Sequence, residues 1–413
     1  MMGGYTTERH ISVESGRNIY EKLASSEKYE PFPVFVTGND QSHSLYLLPI
    51  HVMLKDNADD IRDKVMHYHR PQIMNSIAME CSDILHKYSK TELFEPREIS
   101  YAELKKLADA VFIALHGRPG EDGTIQKELN KLKIPYNGSG VESSQITINK
   151  FETNALLRKK GFLVADHALV LEEEWKKNKD KVIKHIEAIG YPLIAKPADD
   201  GCSSAVKKIK NREQLIAFAD GAFRPSLEIN AELAERLGLK PKEEFPKKPH
   251  FLVEKFVEKE YAHHFLEVTG GMLTKFKGGK MVFETFEPSE SLAEGEILSL
   301  EEKFLAGQGQ NITPARYAKT PSANKAISKE VQQVLKAAAK ALGVEGYCRI
   351  DAFVRVWKGK KPEVIIIEIN SLPGMTPATA IFHQCALNGY KPYEFIDALL
   401  EFGKERLKLK KGK

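Results

Sequence analysis

Residues 346–376, GYCRIDAFVRVWKGKKPEVIIIEINSLPGMT, restrict the fold of this 413-residue chain more than any other stretch. Two β-branched and aromatic runs flank the turn-like KGKKP, which is the pattern of an antiparallel hairpin. Residues two apart in a strand share a face, so Arg349 lies beside Asp351 and Glu368 beside Asn370. A turn centred on Gly359-Lys360 sets Asp351 opposite Glu368, and two carboxylates and an amide oxygen converge. Like charges facing each other across a sheet are destabilising. A divalent cation supplies a reason to keep them: hard oxygen donors suit Mg²⁺, which takes one or two carboxylates and draws other ligands from water and phosphate. The bland alternative is a solvated hairpin face with chance alternation. Glu368 and Asn370 interrupt the apolar run VIIIEIN at its end, which counts against it.

Composition bounds what can surround the hairpin. Hydrophobic residues make up 42% and charged residues 29% of the chain, ordinary globular usage. At roughly 100–200 residues per domain the length implies more than one core. A net charge of +4 is too diffuse for a nucleic-acid or membrane surface, so neither partner is expected. Cys81, Cys202, Cys348 and Cys385 show no C-x-x-C spacing, so neither a zinc site nor a disulfide framework is indicated, and a reducing cytosol fits best. MMGGYTTERHIS has no apolar signal core, and no run approaches the ~18 apolar residues of a membrane span; the expected location is cytoplasmic.

In the first third, buried-strand runs (PVFVTG near 33–38, AVFIALHG at 110–117) alternate with helical patterns, as in a mostly parallel α/β sheet. The second run breaks into His116-Gly117-Arg118-Pro119-Gly120-Glu121-Asp122-Gly123, a polar cluster where such sheets hold ligands, or else a plain Gly-rich connection. One helix is expected from Ser143-Ser144 to Lys160, then the strand HALVL, a long helix ending at Gly190, the strand YPLIAKP, helices through Gly238 and the strand HFLVEKFV. Gly270-Gly271 and Gly278-Gly279 read as hairpin turns. A helix near 328–342, the two long strands and two more helices follow, and the basic tail KERLKLKKGK reads as a solvated helix end.

Three further features could carry chemistry. Lys196 closes the apolar strand PLIAK before Asp199-Asp200-Gly201-Cys202-Ser203-Ser204, offering a point charge and small donors to a polyphosphate, or else snorkelling from an edge strand. LVEKFV places Glu254 and Lys255 in an apolar run that continues to Glu258 and Glu260, where strand-edge groups could hold a nucleoside or merely carry surface charge. Lys150 and Lys303 say little alone.

Taken in order, GGYTTERHIS, ALHGRPGEDGTIQ, IPYNGSG, Asn149-Lys150, IAKPADDG, VEKFVEKE, EEKF, CRID and EINSLPGMT resemble the D-alanine-D-alanine ligase family of the ATP-grasp superfamily across nearly the whole chain. The resemblance implies an α/β fold: an N-terminal parallel α/β substrate domain at 1–138, a central ATP-grasp domain at 139–257 and a C-terminal one with the magnesium site at 258–413. It implies ATP and two Mg²⁺ ions, with Mn²⁺ as a substitute, small amino-acid substrates, a homodimer and a role in peptidoglycan precursor synthesis. Lys150, Lys196 and Ser203 match phosphate contacts, and Glu254, Lys255, Val257 and Glu260 the adenosine pocket. Lys303 matches the lysine of a closing loop, and Asp351, Glu368 and Asn370 match the metal ligands. Glu8 and His116 match residues around the first amino acid, Arg349 the arginine at the reacting carboxyl, and Asn370, Gly374 and Thr379 the second-substrate site. The implied reaction turns a carboxylate into an acyl phosphate, which an amine then attacks.

Three departures qualify the match. The family's first β-strand is not evident before Gly3-Gly4, which predicts unpaired neighbours and a poorly held Glu8 loop. Cys202 stands where a serine is common and Phe304 where a tyrosine is common; the hydrogen-bonded set they form with the glutamate, here Glu8, cannot form in the usual way. Extra length lies near 40–100, 220–250 and 267–300. These features keep open a ligase joining other amino or hydroxy acids, or a nucleotide-binding protein without catalysis.

Overall fold

The structure, a computed structural model, describes residues 1–69, 71–81, 83–84, 95–201, 205–240, 243–292 and 311–411. The chain begins β1 (Met2–Gly3), α1 (Arg9–Ala24), β2 (Val34–Gly38), β3 (His43–Leu47), α2 (Ile50–Met53), α3 (Ala58–Met66), α4 (Gln72–Glu80), β4 (Arg97–Ile99), α5 (Tyr101–Leu107) and α6 (Thr124–Lys131). The four strands form one sheet in chain order. Only β1 and β2 are parallel, because the connections at β3 are not crossovers, so this sheet is mixed where a mostly parallel one was expected.

The first strand is present, contrary to expectation, but only two residues long: Met2 and Gly3 pair with Phe35 and Val36. The Glu8 loop is correspondingly well held. Gly3 N–H donates to Ser12 Oγ at 2.8 Å, and Ser12 in turn donates to Ala114 O at 3.0 Å. The apolar run at 111–115 forms a single bridge, Val111 to Tyr136, rather than a ladder strand. Its polar groups find substitutes: Ile113 N–H donates to Asn137 Oδ1 at 2.6 Å, Asn137 Nδ2 donates back to Ile113 O at 3.1 Å, and Ala114 N–H donates to Met1 O at 2.9 Å.

Next come α7 (Val141–Ile148), α8 (Lys150–Lys159), β5 (Leu163–Val164), β6 (His167–Leu171), α9 (Glu172–Lys177), α10 (Lys179–Glu187), β7 (Leu193–Lys196), β8 (Lys207–Ile209), α11 (Arg212–Ala222), α12 (Ala231–Arg236) and β9 (His250–Lys255). The single helix expected over 143–160 is two, because Asn149 leaves the helical path and caps the second, its Oδ1 accepting from the Phe151 and Glu152 N–H groups. The same device at Asn178 splits the helix expected to run to Gly190. Strands β6, β9, β7 and β8, in that order, form an antiparallel sheet.

The chain ends with β10 (His264–Lys277), β11 (Lys280–Thr285), β12 (Ser289–Ser291), β13 (Asn311–Ile312), α13 (Pro321–Ala341), β14 (Tyr347–Val356), β15 (Glu363–Asn370), α14 (Ala380–Leu387) and α15 (Pro392–Lys411). These strands and β5 make a seven-stranded sheet with β14 between β10 and β15. Gly278-Gly279 is the expected turn. Gly270-Gly271 is not a turn but lies inside β10, where the sheet meets two helices: a Cβ at Gly270 would overlap Leu335 of α13, and one at Gly271 would overlap Gln384 of α14. Lys408 and Lys410 of the basic tail are exposed, but Arg406 is buried and donates to Tyr136 O at 2.9 Å and Gly138 O at 2.7 Å.

Helices α14 and α15 and the 371–375 loop bury Leu372, Met375, Ile381, Phe395 and Leu399 in one core with Ile113 and Leu115 of the N-terminal part. Each such side chain stabilises by about 1.5–3 kcal/mol when fully buried, which fixes the polar loops around it. Gly270→Ala is expected to lower stability by about 1–3 kcal/mol through overpacking against Leu335, read as a shifted urea midpoint at unchanged slope.

Candidate active site

The hairpin puts Asp351 opposite Glu368 and Arg349 opposite Asn370. The turn itself is centred on Gly359, since Arg355 faces Glu363, and that register alone would set Asp351 opposite Ile367. A one-residue bulge at Ile367 restores the carboxylate pair. Thr269 on β10 donates to Asp351 Oδ1 at 2.6 Å, and Arg349 reaches Oδ1 and Oδ2 at 3.2 and 3.3 Å. Asn370 Nδ2 is buried with no hydrogen-bond partner; turning the amide over would leave an unfilled oxygen acceptor there. Among the described residues no three His, Cys, Asp or Glu side chains form a metal cage. Two carboxylates and an amide fit a small, hard cation that takes its remaining ligands from water or a substrate.

The central elements contribute two lysines, of which Lys150 faces this pair. Lys150 opens α8, its N–H donating to Ala198 O at 2.8 Å; its ammonium donates to Asp200 O at 2.6 Å and lies 3.6 Å from Glu368. Burial alone would lower the Lys150 pKa, but the carboxylates of Glu368, Glu8, Asp200 and Glu121 raise it overall, so it stays charged. Lys196, 6% exposed, pairs with Glu254 at 2.5 Å, and Asn154 donates to the other Glu254 oxygen at 2.7 Å. Glu254 is thus held beneath the lysine. Lys255, next in the strand, points to the other face and donates to Gly190 O at 2.8 Å. Val257 is half-buried, and Glu260 is exposed and paired with Arg355 at 2.6 Å, so these four residues do not converge on one point.

Glu8, at the N-terminus of α1, is buried between two glycines: a Cβ at Gly201 would overlap its carboxylate, and one at Gly117 would crowd it. His116 is buried, which lowers its pKa to about 4 and leaves a neutral ring. Its Nδ1 lies 2.9 Å from Leu372 O and its Nε2 2.8 Å from Ser15 Oγ. Because a carbonyl only accepts, Nδ1 carries the proton, Ser15 donates to Nε2, and Ser15 Oγ accepts from Met375 N–H at 3.0 Å. Glu121 accepts from Gly117 N–H at 2.9 Å and Leu372 N–H at 3.2 Å. Burial outweighs those two bonds and pushes its pKa up to about 7. Asn18 donates to Met375 O at 2.7 Å. The 371–375 loop, with Gly374 buried in it, is therefore gripped at both backbone groups of Leu372 and of Met375. Thr379 caps α14, and its hydroxyl donates to Thr376 O at 2.8 Å, a bond it would give up to hold a carboxylate. Cys202, Ser203, Lys303 and Phe304 lie outside the described residues.

Sequence reasoning missed Ser15, Asn18, Asn154, Thr269 and the clamping role of Glu121. Ser15 and Asn18 had a signal, polar residues three apart on the buried side of a helix. Thr269 had none, since nothing local marks its register with Asp351.

The family model for the D-ala D-ala ligase N-terminus matches residues 1–139, and that for the C-terminus matches 156–236 and 247–401. The chain belongs to the D-alanine-D-alanine ligase family. It is an ATP-dependent ligase with the ATP-grasp fold. The D-alanine-D-alanine ligase of Leptospira interrogans serovar Lai is 34% identical over 299 residues, covering 72% of this chain and 74% of that protein. The crystal structure of the VanG D-Ala:D-Ser ligase from Enterococcus faecalis superposes with a TM-score of 0.64 at 20% identity, covering 97% of each chain. The Bacillus anthracis D-alanine-D-alanine ligase complexed with ATP superposes at 0.58 with 21% identity, covering 99% of this chain and 97% of that one. At these identities the two superpositions speak for the ligase family's fold. Within that fold, Glu254→Gln is expected to leave the buried Lys196 ammonium without its counter-charge and to cost on the order of 3 kcal/mol by urea denaturation.

Proposed function

We propose that the protein joins two D-alanine molecules at the expense of ATP, forming the dipeptide used in peptidoglycan precursor synthesis. The observation that carries this reading is the buried register that sets Asp351 against Glu368 and Arg349 against Asn370, with the Lys150 ammonium 3.6 Å from Glu368. Opposed carboxylates destabilise a sheet, and a bound cation gives them a use. Asp351, Glu368 and Asn370 would hold Mg²⁺, which when bound neutralises charge on the transferred phosphoryl group.

The remaining roles follow from the chain's own groups. Lys150 and Lys196 bind phosphate oxygens as fixed point charges; Lys196 is kept straight by Glu254 and Asn154. Glu8 receives the ammonium of the first D-alanine and leaves its carboxylate free to attack the γ-phosphate. Both ring nitrogens of His116 are taken up by the protein, so its part is to orient the 371–375 loop beside the first amino acid rather than to hydrogen-bond the substrate. The N–H groups of Leu372 and Met375 are already bonded, so charge developing on the acyl phosphate's carbonyl oxygen is met chiefly by Arg349 as the second amine attacks. The first strand, the held Glu8 loop and the buried Arg349 weigh against a non-catalytic nucleotide binder.

Cys202 and Phe304 favour a second reading in which the acceptor is another amino acid or a hydroxy acid, because the hydroxyls common at those positions are missing. Phosphate release with ATP, Mg²⁺ and D-alanine, with products weighed by mass spectrometry, separates the two. D-alanyl-D-alanine supports the first reading; release only with a different acceptor moves the protein to the second. Chelation by EDTA is expected to abolish release, and added Mg²⁺ or Mn²⁺ to restore it. Glu368→Gln should lower kcat at least about 100-fold with an unchanged melting temperature, and near-normal turnover would remove Glu368 from the metal site.

A further inference from the structure

Four consecutive residues after β7 connect the phosphate side of the site to the amino-acid side. Ala198 O accepts the Lys150 N–H at 2.8 Å, and Asp200 O accepts the Lys150 ammonium at 2.6 Å. Gly201 packs against the Glu8 carboxylate. Asp199, between them, turns to the loop that carries His116: its Oδ2 pairs with Arg118 Nη2 at 2.8 Å, and its carbonyl accepts from Arg118 Nη1 at 3.1 Å. Its Oδ1 faces Lys248 at 3.5 Å and His250 at 3.7 Å, on the approach to the strand holding Glu254. Thr7, beside Glu8, donates to Asp200 Oδ1 at 3.1 Å.

Burial alone would raise the Asp199 pKa, yet His250, Lys248 and Arg118 together hold it well below the ordinary carboxylate range. The carboxylate is therefore charged throughout the working pH range. A cavity of about 330 Å³ lined by Tyr5, Arg118, Asp199, Lys248 and His250 lies along the pair. The cluster thus borders space beside the site, and the largely buried Asp199 carboxylate ties two loops together there.

We infer that Asp199, through Arg118, is a positioning residue that makes nucleotide binding and first amino-acid binding cooperative by locking the 198–201 loop to the 116–121 loop. The sequence and the family match assign it no such role. The inference rests on the ligase reading above: a ligand that orders the Lys150 side must order the same four residues that the Glu8 side needs. Reciprocity then requires that each ligand tighten the other by the same factor.

The test is calorimetric. The affinity of a β,γ-imido analogue of ATP with Mg²⁺ is measured without and with saturating D-alanine, for the full chain and for Asp199→Asn, Asp199→Glu, Arg118→Met and the Asn/Met double variant. D-alanine is expected to tighten the analogue about fivefold or more in the unaltered protein. That factor should fall toward unity in Asp199→Asn and Arg118→Met, fall no further in the double variant, and recover in part in Asp199→Glu. Melting temperatures, read alongside, should stay near the parent's; if Asp199→Asn unfolds, Arg118→Met carries the reading. Coupling that persists in the folded single variants, or that is absent from the parent although both ligands bind, overturns the inference. If the analogue binds and D-alanine does not, the substrate reading fails instead, and coupling is measured with whichever amino acid drives phosphate release.

Discussion

Two carboxylates opposed inside a sheet are the constraint around which the site is arranged. Asp351 sits on β14 between β10 and β15, so neither strand edge is open to water there. An unpaired charge in that position would be expensive, and the structure surrounds it with donors: the Thr269 hydroxyl from one neighbouring strand and the Arg349 guanidinium from its own. Glu368 has Lys150 on its open side. The opposite face of the sheet is apolar, built of Cys348, Ile350, Ala352, Ile366 and Ile369 against Val331, Leu335 and Ala339 of α13. That packing holds the register, since a slip by one residue would turn the charges toward the apolar helix and the aliphatic side chains toward the polar site.

Around this rigid hairpin the functional loops are fixed less by their own regular structure than by side chains that occupy their backbone groups. The 371–375 loop is held by His116, Glu121, Ser15 and Asn18, none of which is near it in sequence. The 111–115 run is held by Asn137 where a strand would be held by another strand. Such bonds set position without adding bulk, which suits the crevice that the proposed reaction needs. Glycine serves the same end where chains must touch, as at Gly201 and Gly117 against Glu8.

What was legible in the sequence tracks the range of the interaction that decides each feature. Local alternation and turn chemistry identified β14 and β15, β7 with its terminal lysine, β9, and the Gly278-Gly279 turn. The facing of Asp351 and Glu368 was read correctly from a slightly misplaced turn, because the bulge at Ile367 makes up the difference. Gly270-Gly271 was misread because a glycine needed for close helix approach looks, within its own strand, like one needed for a turn. The breaks at Asn149 and Asn178 were overlooked because helical periodicity continues through them while a side chain captures the next turn's N–H groups. Two residues of β1 escaped notice because so short a strand depends on its neighbours: Gly4 N–H reaches Val36 O at 2.8 Å and the Met1 ammonium reaches Phe112 O at 2.7 Å.

Charge balance links the fold to the proposed reaction. Among the described side chains, Glu8, Glu254, Asp351 and Glu368 stand against Lys150, Lys196 and Arg349, and His116 is neutral. Before any substrate enters, the fixed cations do not outnumber the carboxylates, and all three are already paired: Lys196 with Glu254, Arg349 with Asp351 and Lys150 with Glu368. A nucleotide polyphosphate brought into such a site meets repulsion that these already paired cations do not offset in a low-dielectric crevice. Divalent cations reverse that balance at the Asp351–Glu368 pair, where the oxygens already converge. The acidity that makes the hairpin costly to fold is thus what makes the proposed phosphoryl transfer dependent on the metal, and one register accounts for both.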